Sequence, residues 1–180
     1  MKEVEVQIKG ITPLLMNSPK GMLKDEPAIK ISTKKRDRKE EAEKVAYRNK
    51  NGMLFVPSTA IKGTIIAASA YKKAGKYALR PIMSGGMRIK EEEIPLNTKD
   101  YEIDLRTGVI QRARIVIARP VIDKWELNFT ILYDEDLIPD GNIIKTVLEE
   151  AGKRVGILSF RPQKNGEFGQ FEVTKFEAVK

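Results

Sequence analysis

From Trp125 to Ile131 the chain alternates without a break, Trp125, Leu127, Phe129 and Ile131 standing against Glu126, Asn128 and Thr130. Side chains of a strand point alternately to opposite faces, so this run is an extended segment with one face in a core and the other in water. Val4, Val6 and Ile8 repeat the pattern against Glu3, Glu5, Gln7 and Lys9, and Gly10 ends that strand. A third run spans Arg112 to Arg119, with Ala113, Ile115 and Ile117 on one parity and Arg112, Arg114 and Val116 on the other. Across Pro120 it is expected to form an antiparallel hairpin with 125–131. Phe171, Val173 and Phe176 mark a last strand.

Two segments carry helical periodicity instead. After a brief apolar strand at 53–56, Pro57-Ser58 opens a helix in which Ile61, Ile65, Ala68 and Ala70 can face a core, and Gly75 is its expected stop. Asp140-Gly141 introduces Ile143, Ile144, Val147, Leu148 and Ala151, one face of a helix that Gly152 can terminate. The resulting order is strand, helix, strand, strand, helix, strand. It predicts an α+β fold with a ferredoxin-like, RRM-like βαββαβ core in a single domain over 1–180. Two insertions interrupt it: an excursion at about 11–50 with a short exposed helix, and an irregular hairpin or flap at about 77–111.

The chemistry available to this scaffold is narrow. Among 180 residues there is no Cys and no His, which excludes disulfides, thiolate zinc sites, cysteine nucleophiles and the commonest general base. No stretch is long and apolar enough to span a membrane, and the N-terminus lacks the apolar middle of a signal peptide, so a cytoplasmic protein with no membrane partner is expected. The abundance of Lys and Glu also suits the ion-paired surface of a thermophile. The net charge of +8 favours a polyanionic partner. From Ser58 to Lys90 the chain carries Lys62, Lys72, Lys73, Lys76, Arg80, Arg88 and Lys90 without one Asp or Glu. That segment is the first candidate for a phosphate-facing surface.

Within it, Ser58, Thr59 and Lys62 surround a helix start, where free N–H groups and the helix dipole favour an anion. An ordinary N-cap beside a solvated lysine would read the same way. Gly63 would let a ligand backbone approach or would serve helix packing. The loop holding Gly156, Arg161, Lys164, Gly166 and Gly169 can wrap a phosphate backbone, or be a long surface turn. It matches neither a Walker loop nor a GxGxxG fingerprint. Arg112 and Arg114 could present guanidinium groups on the open sheet face, although a merely solvated face fits equally. The KKRDRK cluster at 34–39 is diluted by Glu40, Glu41 and Glu43 and offers a secondary contact at best.

Two segments, LFVPSTAIKGTIIAASAYK at 54–72 and VGILSFRPQKNGEFGQFEV at 155–173, together resemble the repeat-associated mysterious protein (RAMP) superfamily of CRISPR systems. The ending is also similar to phage proteins with a Phe-Gly-Arg-Phe-Glu-Val pattern, where this chain has Gln170 in place of the arginine. The resemblance implies a backbone subunit that binds guide RNA, polymerises along it with copies of itself and joins other CRISPR-type subunits. It makes the 77–111 region an RNA-kinking thumb and the 11–50 region a finger-like insertion, and it adds Phe168 to the expected contacts. Paired aromatics on central strands, as in ordinary RNA recognition motifs, are missing, so backbone contact is expected more than base stacking. A phage or mobile-element relative that binds single-stranded DNA or a CRISPR complex is an alternative. So is a divalent-metal ribonuclease, because some relatives use an aspartate in the loop after strand one, where this chain has Asp25. No cofactor and no resident metal are expected, and the expected role is binding and not catalysis.

Overall fold

The computed structural model describes residues 1–22, 37–110 and 112–179. Its central element is an antiparallel sheet of four strands in the order β11-β1-β10-β6, formed by β1 (Lys2–Gly10), β6 (Met87–Ile89), β10 (Glu126–Tyr133) and β11 (Phe171–Ala178). Helices α2 (Ser58–Ala68) and α4 (Asn142–Glu150) cover one face of it. Val4, Val6 and Ile8 of β1 and Leu127, Phe129 and Ile131 of β10 are buried in the same core as Ile61, Ile65, Ile144, Val147 and Leu148 of the helices. The alternation read from the sequence is therefore the core face of the sheet. In chain order β1, α2, β6, β10, α4, β11 make the ferredoxin-like βαββαβ unit, with the first and third core strands in the centre.

The second core strand differs from the expected one. Residues 112–119 do not pair with 125–131. Strand β9 (Ala113–Ile122) instead pairs with β8 (Glu102–Ile110), in a register running from Glu102↔Val121 to Ile110↔Ala113, and with the two-residue β2 (Leu14–Leu15). The short β6, a three-residue piece, takes the core position beside β10, with Met87 opposite Tyr133. Parity assigns a side chain to a face but says nothing about which strand lies alongside, so the longer and more regular run was the misleading one. As a result Met87–Ile89, inside the expected 77–111 insertion, lies in the sheet, whereas β9 lies outside it. The segment that leaves the sheet runs from 90 to 125, beginning with β7 (Glu93–Pro95), which pairs with β3 (Phe55–Pro57).

Two helix stops also moved. Helix α2 ends at Ala68, with Ala70 exposed, and Gly75 (φ 59°) turns a small hairpin of β4 (Lys73–Ala74) and β5 (Tyr77–Ala78) ahead of α3 (Leu79–Gly86). Gly152 does not stop α4; the helix continues as a π-turn over Ala151–Val155 and is capped by Gly156 at φ 71°. The reason is steric. The carbonyl oxygen of Phe171 occupies the space a Cβ on residue 152 would need, so glycine lets the turn lie against β11.

The excursion after β1 docks onto the outlying hairpin. Its helix α1 (Arg38–Lys44) is capped by Asp37, whose carboxylate accepts from the Lys39 amide at 2.9 Å, and it packs on β9, with an Arg38 Nη1 donating to the Val116 carbonyl at 3.0 Å. Arg48 reinforces the contact by donating to both carboxylate oxygens of Glu43 and to the carbonyls of Gly52 (2.6 Å) and Lys99 (3.1 Å). That guanidinium holds the Glu43 carboxyl below its usual range, and burial together with the bond it donates to Glu43 pushes the Tyr101 phenol up to about 12.

The open face of the sheet is a lattice of paired charges. Lys175 reaches Glu5 at 3.0 Å and Glu177 at 3.3 Å, Lys90 reaches Glu3 at 2.9 Å, and Gln7 donates to Glu126 at 2.6 Å. Its acids outweigh its bases, which disfavours a polyanion there. No helix among the described residues is long and apolar enough to cross a membrane.

Candidate nucleic-acid interface

The two sequence segments singled out above meet in space. Pro57 occupies the N-cap of α2 and no side chain caps the helix; the Ser58 amide donates to the Glu92 carbonyl at 3.0 Å, and the amides of the next residues, Thr59 and Ala60, face the cleft side of the helix start. One turn further on, the buried Thr64 Oγ1 donates to the Gly156 carbonyl at 2.9 Å, tying the helix to the start of the 156–169 loop.

That loop is a built structure. Ile157 N donates to the Gly169 carbonyl at 3.0 Å, Ser159 N to that of Leu15 at 3.0 Å, Phe168 N to that of Phe160 at 3.1 Å, and Gly169 N to that of Pro13 at 2.8 Å. Its glycines serve its own closure. A Cβ on Gly166 would strike the Phe160 carbonyl, and one on Gly169 the Ile157 carbonyl. Glycine at 166 is therefore required by the loop's own packing. Leu158 (φ 59°) and Phe160 (φ 53°) are held in the left-handed region, where a bulky residue is strained.

Between helix and loop lies an open cleft of about 580 Å³. Thr59, Gly63 and Thr64 form its helical wall, and Ser159, Phe160, Arg161 and Lys164 its loop wall. Asn17 and Tyr47 close it from the excursion and Arg119 from β9. It carries three cations, Arg119, Arg161 and Lys164, and no carboxylate among the described residues that line it. Arg161 is partly committed to its own loop, donating to the Leu158 carbonyl at 2.9 Å and to Gln163 at 3.0 Å. Lys164 is exposed.

Arg119 is the least satisfied of the three. Among the described residues its Nε is buried without a partner, and Nη1 reaches only the Ser159 hydroxyl, at 3.3 Å. Burial depresses its guanidinium below the ordinary value, with Arg106 adding to the effect and Asp104 opposing it. An arginine at the end of the otherwise apolar parity of Ile115 and Ile117 was the sequence signal for this residue. Phe160, Ser159 and Tyr47 were likewise not singled out in the sequence.

The remaining candidates disperse. Ser58 starts α2 half-buried, and Lys62, also half-buried, is not among the residues that line the cleft. Lys72, Lys73, Lys76 and Arg80 lie beyond the far end of α2, which at 11 residues is about 16 Å long. There Lys72 pairs with Glu150 at 3.3 Å, so the stretch without acids in sequence meets one in space. Arg88 is exposed on the open face of the sheet, opposite Leu132. Arg112 (φ 66°) and Arg114 are at the tip of the β8–β9 hairpin and not on the open sheet face, because β9 is not a core strand. Phe168 is buried at 9% exposure, with the Arg106 guanidinium 4.6 Å above its ring, and is packing for the loop. Asp25 lies outside the described residues, among which no group of three or more acidic side chains could hold a metal ion.

No family model and no curated protein matches the chain. Among solved structures, one chain of the type III-B Cmr-beta complex bound to cognate target RNA superposes with a TM-score of 0.65 at 18% identity, covering 99% of this chain. The chain spans 61% of that neighbour's length. A chain of a CRISPR RNA-guided surveillance complex aligns at 10% identity over 94% of this chain and 66% of that one, with a TM-score of 0.35 that adds nothing to the fold assignment. The first likeness shows that this chain shares its fold with that chain.

Proposed function

We propose that this chain, which shares its fold with a chain of the type III-B Cmr-beta complex, is a RAMP-type subunit that holds a strand of RNA by its sugar–phosphate backbone. The observation that carries the reading is the convergence of the uncapped α2 start with Arg119, Arg161 and Lys164 around one cleft lined by no described acid. Backbone amides and cations recognise phosphate without reading bases, which suits a subunit that must accept any guide. Assembly of further copies along the same strand is part of the proposal. The exposed Leu105, Val109 and Val116 of the β8–β9 hairpin give a surface that one copy can offer the next. The proposed role is to hold the strand and not to cut it.

A salt titration of a labelled single-stranded oligoribonucleotide tests this. Each phosphate contact contributes a slope of about −0.7 in log K against log salt, so three cations predict a slope on the order of −2. Lys164→Ala is expected to flatten it by about 0.7. A wild-type protein that leaves RNA free at low salt, or a slope indifferent to Lys164, sinks the proposal. Comparison with DNA of the same sequence separates RNA from single-stranded DNA as the partner, and RNA left intact in magnesium or manganese is the result expected of a holding subunit.

Gly63 gives a further check. No heavy atom lies within 4 Å of where its Cβ would be, so it is not needed for helix packing. Gly63→Ala is expected to raise stability by about 0.5–1 kcal/mol, as for any open helix interior, measured by urea denaturation. Because the new methyl projects at the cleft wall, RNA affinity is expected to fall although the fold is firmer.

A further inference from the structure

Phe160 combines features that packing does not explain. The residue is 42% exposed, yet its backbone sits at φ 53°, a conformation that is strained for an aromatic residue. Burial of its own side chain does not offset that strain. The surrounding structure imposes it: the Phe168 amide donates to the Phe160 carbonyl at 3.1 Å, and Gly166 packs against the same peptide. The ring is also buttressed. The edge-on ring of Phe168 lies 6.3 Å away, and the Arg106 guanidinium, held by Asp104 at 2.8 Å, stands 5.5 Å from its centroid. What results is a rigid, half-exposed aromatic surface on the wall of the cleft that holds Arg119, Arg161 and Lys164.

We propose that Phe160 is a stacking platform for one unpaired nucleobase of the bound strand. This rests on the reading of the cleft as a phosphate site and adds a base contact to it. A π-face accepts any base, so the contact selects single strands over duplexes without selecting sequence. It also moves the aromatic role from Phe168, which is buried, to Phe160.

The test compares a labelled single-stranded oligoribonucleotide with an abasic strand of the same length, which keeps every phosphate and removes the bases. Phe160→Ala is expected to weaken binding of the base-bearing strand about 5- to 100-fold. Binding of the abasic strand is expected to change less than about twofold, with the same salt slope for both proteins. Phe160→Trp keeps a π-face at the same strained position and is expected to retain the preference for the base-bearing strand. Equal losses on both strands, or no loss on either, overturn the stacking contact while leaving the phosphate site standing. A wild-type protein that binds neither strand overturns both. Unfolding of Phe160→Ala, read by circular dichroism, makes the ring a packing residue and removes the proposal, unless Phe160→Trp folds and discriminates between the strands.

Discussion

Arg119→Met is expected to lower RNA affinity by at least tenfold while leaving the folded protein as stable as the wild type or more so. The guanidinium is half-buried beneath the cleft, its Nε has no partner among the described residues, and no described carboxylate lies within ion-pair distance of it. Asp104, the acid that acts on it electrostatically, is engaged by Arg106 at 2.8 Å. A buried polar group left unsatisfied costs about 1–3 kcal/mol, and methionine fills much of the same volume without that penalty. In the complex the balance reverses. A phosphate in the cleft would supply the missing acceptor, and a charge-assisted hydrogen bond contributes about 1.5–3 kcal/mol, which is about 10- to 150-fold in affinity. Urea denaturation and RNA titration on the same two proteins read the two effects separately. A variant that loses stability along with binding would show that Arg119 holds the β8–β9 hairpin to the loop and has no special role toward RNA.

The other large effect is structural. Gly152→Ala is expected to destabilise the protein by about 3 kcal/mol or more, a large part of the 5–15 kcal/mol that holds a typical domain. The added methyl meets the carbonyl oxygen of Phe171 and, at 2.9 Å, a carbon of its ring. Neither can yield cheaply. The carbonyl belongs to β11, paired to Gly10 of β1, and the ring is buried at 1% exposure, edge-on to Trp125 at 6.4 Å. Pushing the π-turn outward would also disturb the Gly156 cap and the loop that follows it. The same substitution at Gly63, with open space around it, is expected to act in the opposite direction, so the pair separates steric crowding from helix propensity. A Gly152→Ala protein that melts within a few degrees of wild type contradicts the tight contact between the π-turn and β11.

Much of this was legible in the chain and some was not. The faces of β1 and β10 follow from period-two alternation, which β11 breaks between Val173 and Phe176 where its register with β1 shifts, and Pro57-Ser58 marks the start of α2 to the residue. Such features depend on neighbours a few positions apart. The partner of β9 was not legible, because Ala113, Ile115 and Ile117 suit any apolar surface and only the completed hairpin selects β8. The three-residue β6 carries too little alternation to outrank it. Gly152 and Gly75 both resemble helix stops; which of them meets a crowding backbone depends on a strand two elements later in the first case and on nothing nearby in the second.

What the sequence by itself determined is the buried faces of β1 and β10, the starts of α2 and α4, the net positive charge and the two segments, 54–72 and 155–173, that bear the RAMP resemblance. Only the tertiary structure decided which cations share a site. The stretch without acids looked continuous along the chain, yet α2 carries Lys72 through Arg80 to its far end and Glu150 meets Lys72 there. Arg119 enters from the hairpin instead, 40 residues from the Ser159 hydroxyl it donates to, and Thr64 is 92 residues from the carbonyl that anchors it. Electrostatic potential adds over distance in space, while the chain orders its charges by position in sequence. A cleft lined by cations from separate segments therefore becomes visible only once the sheet and its insertions have closed around it.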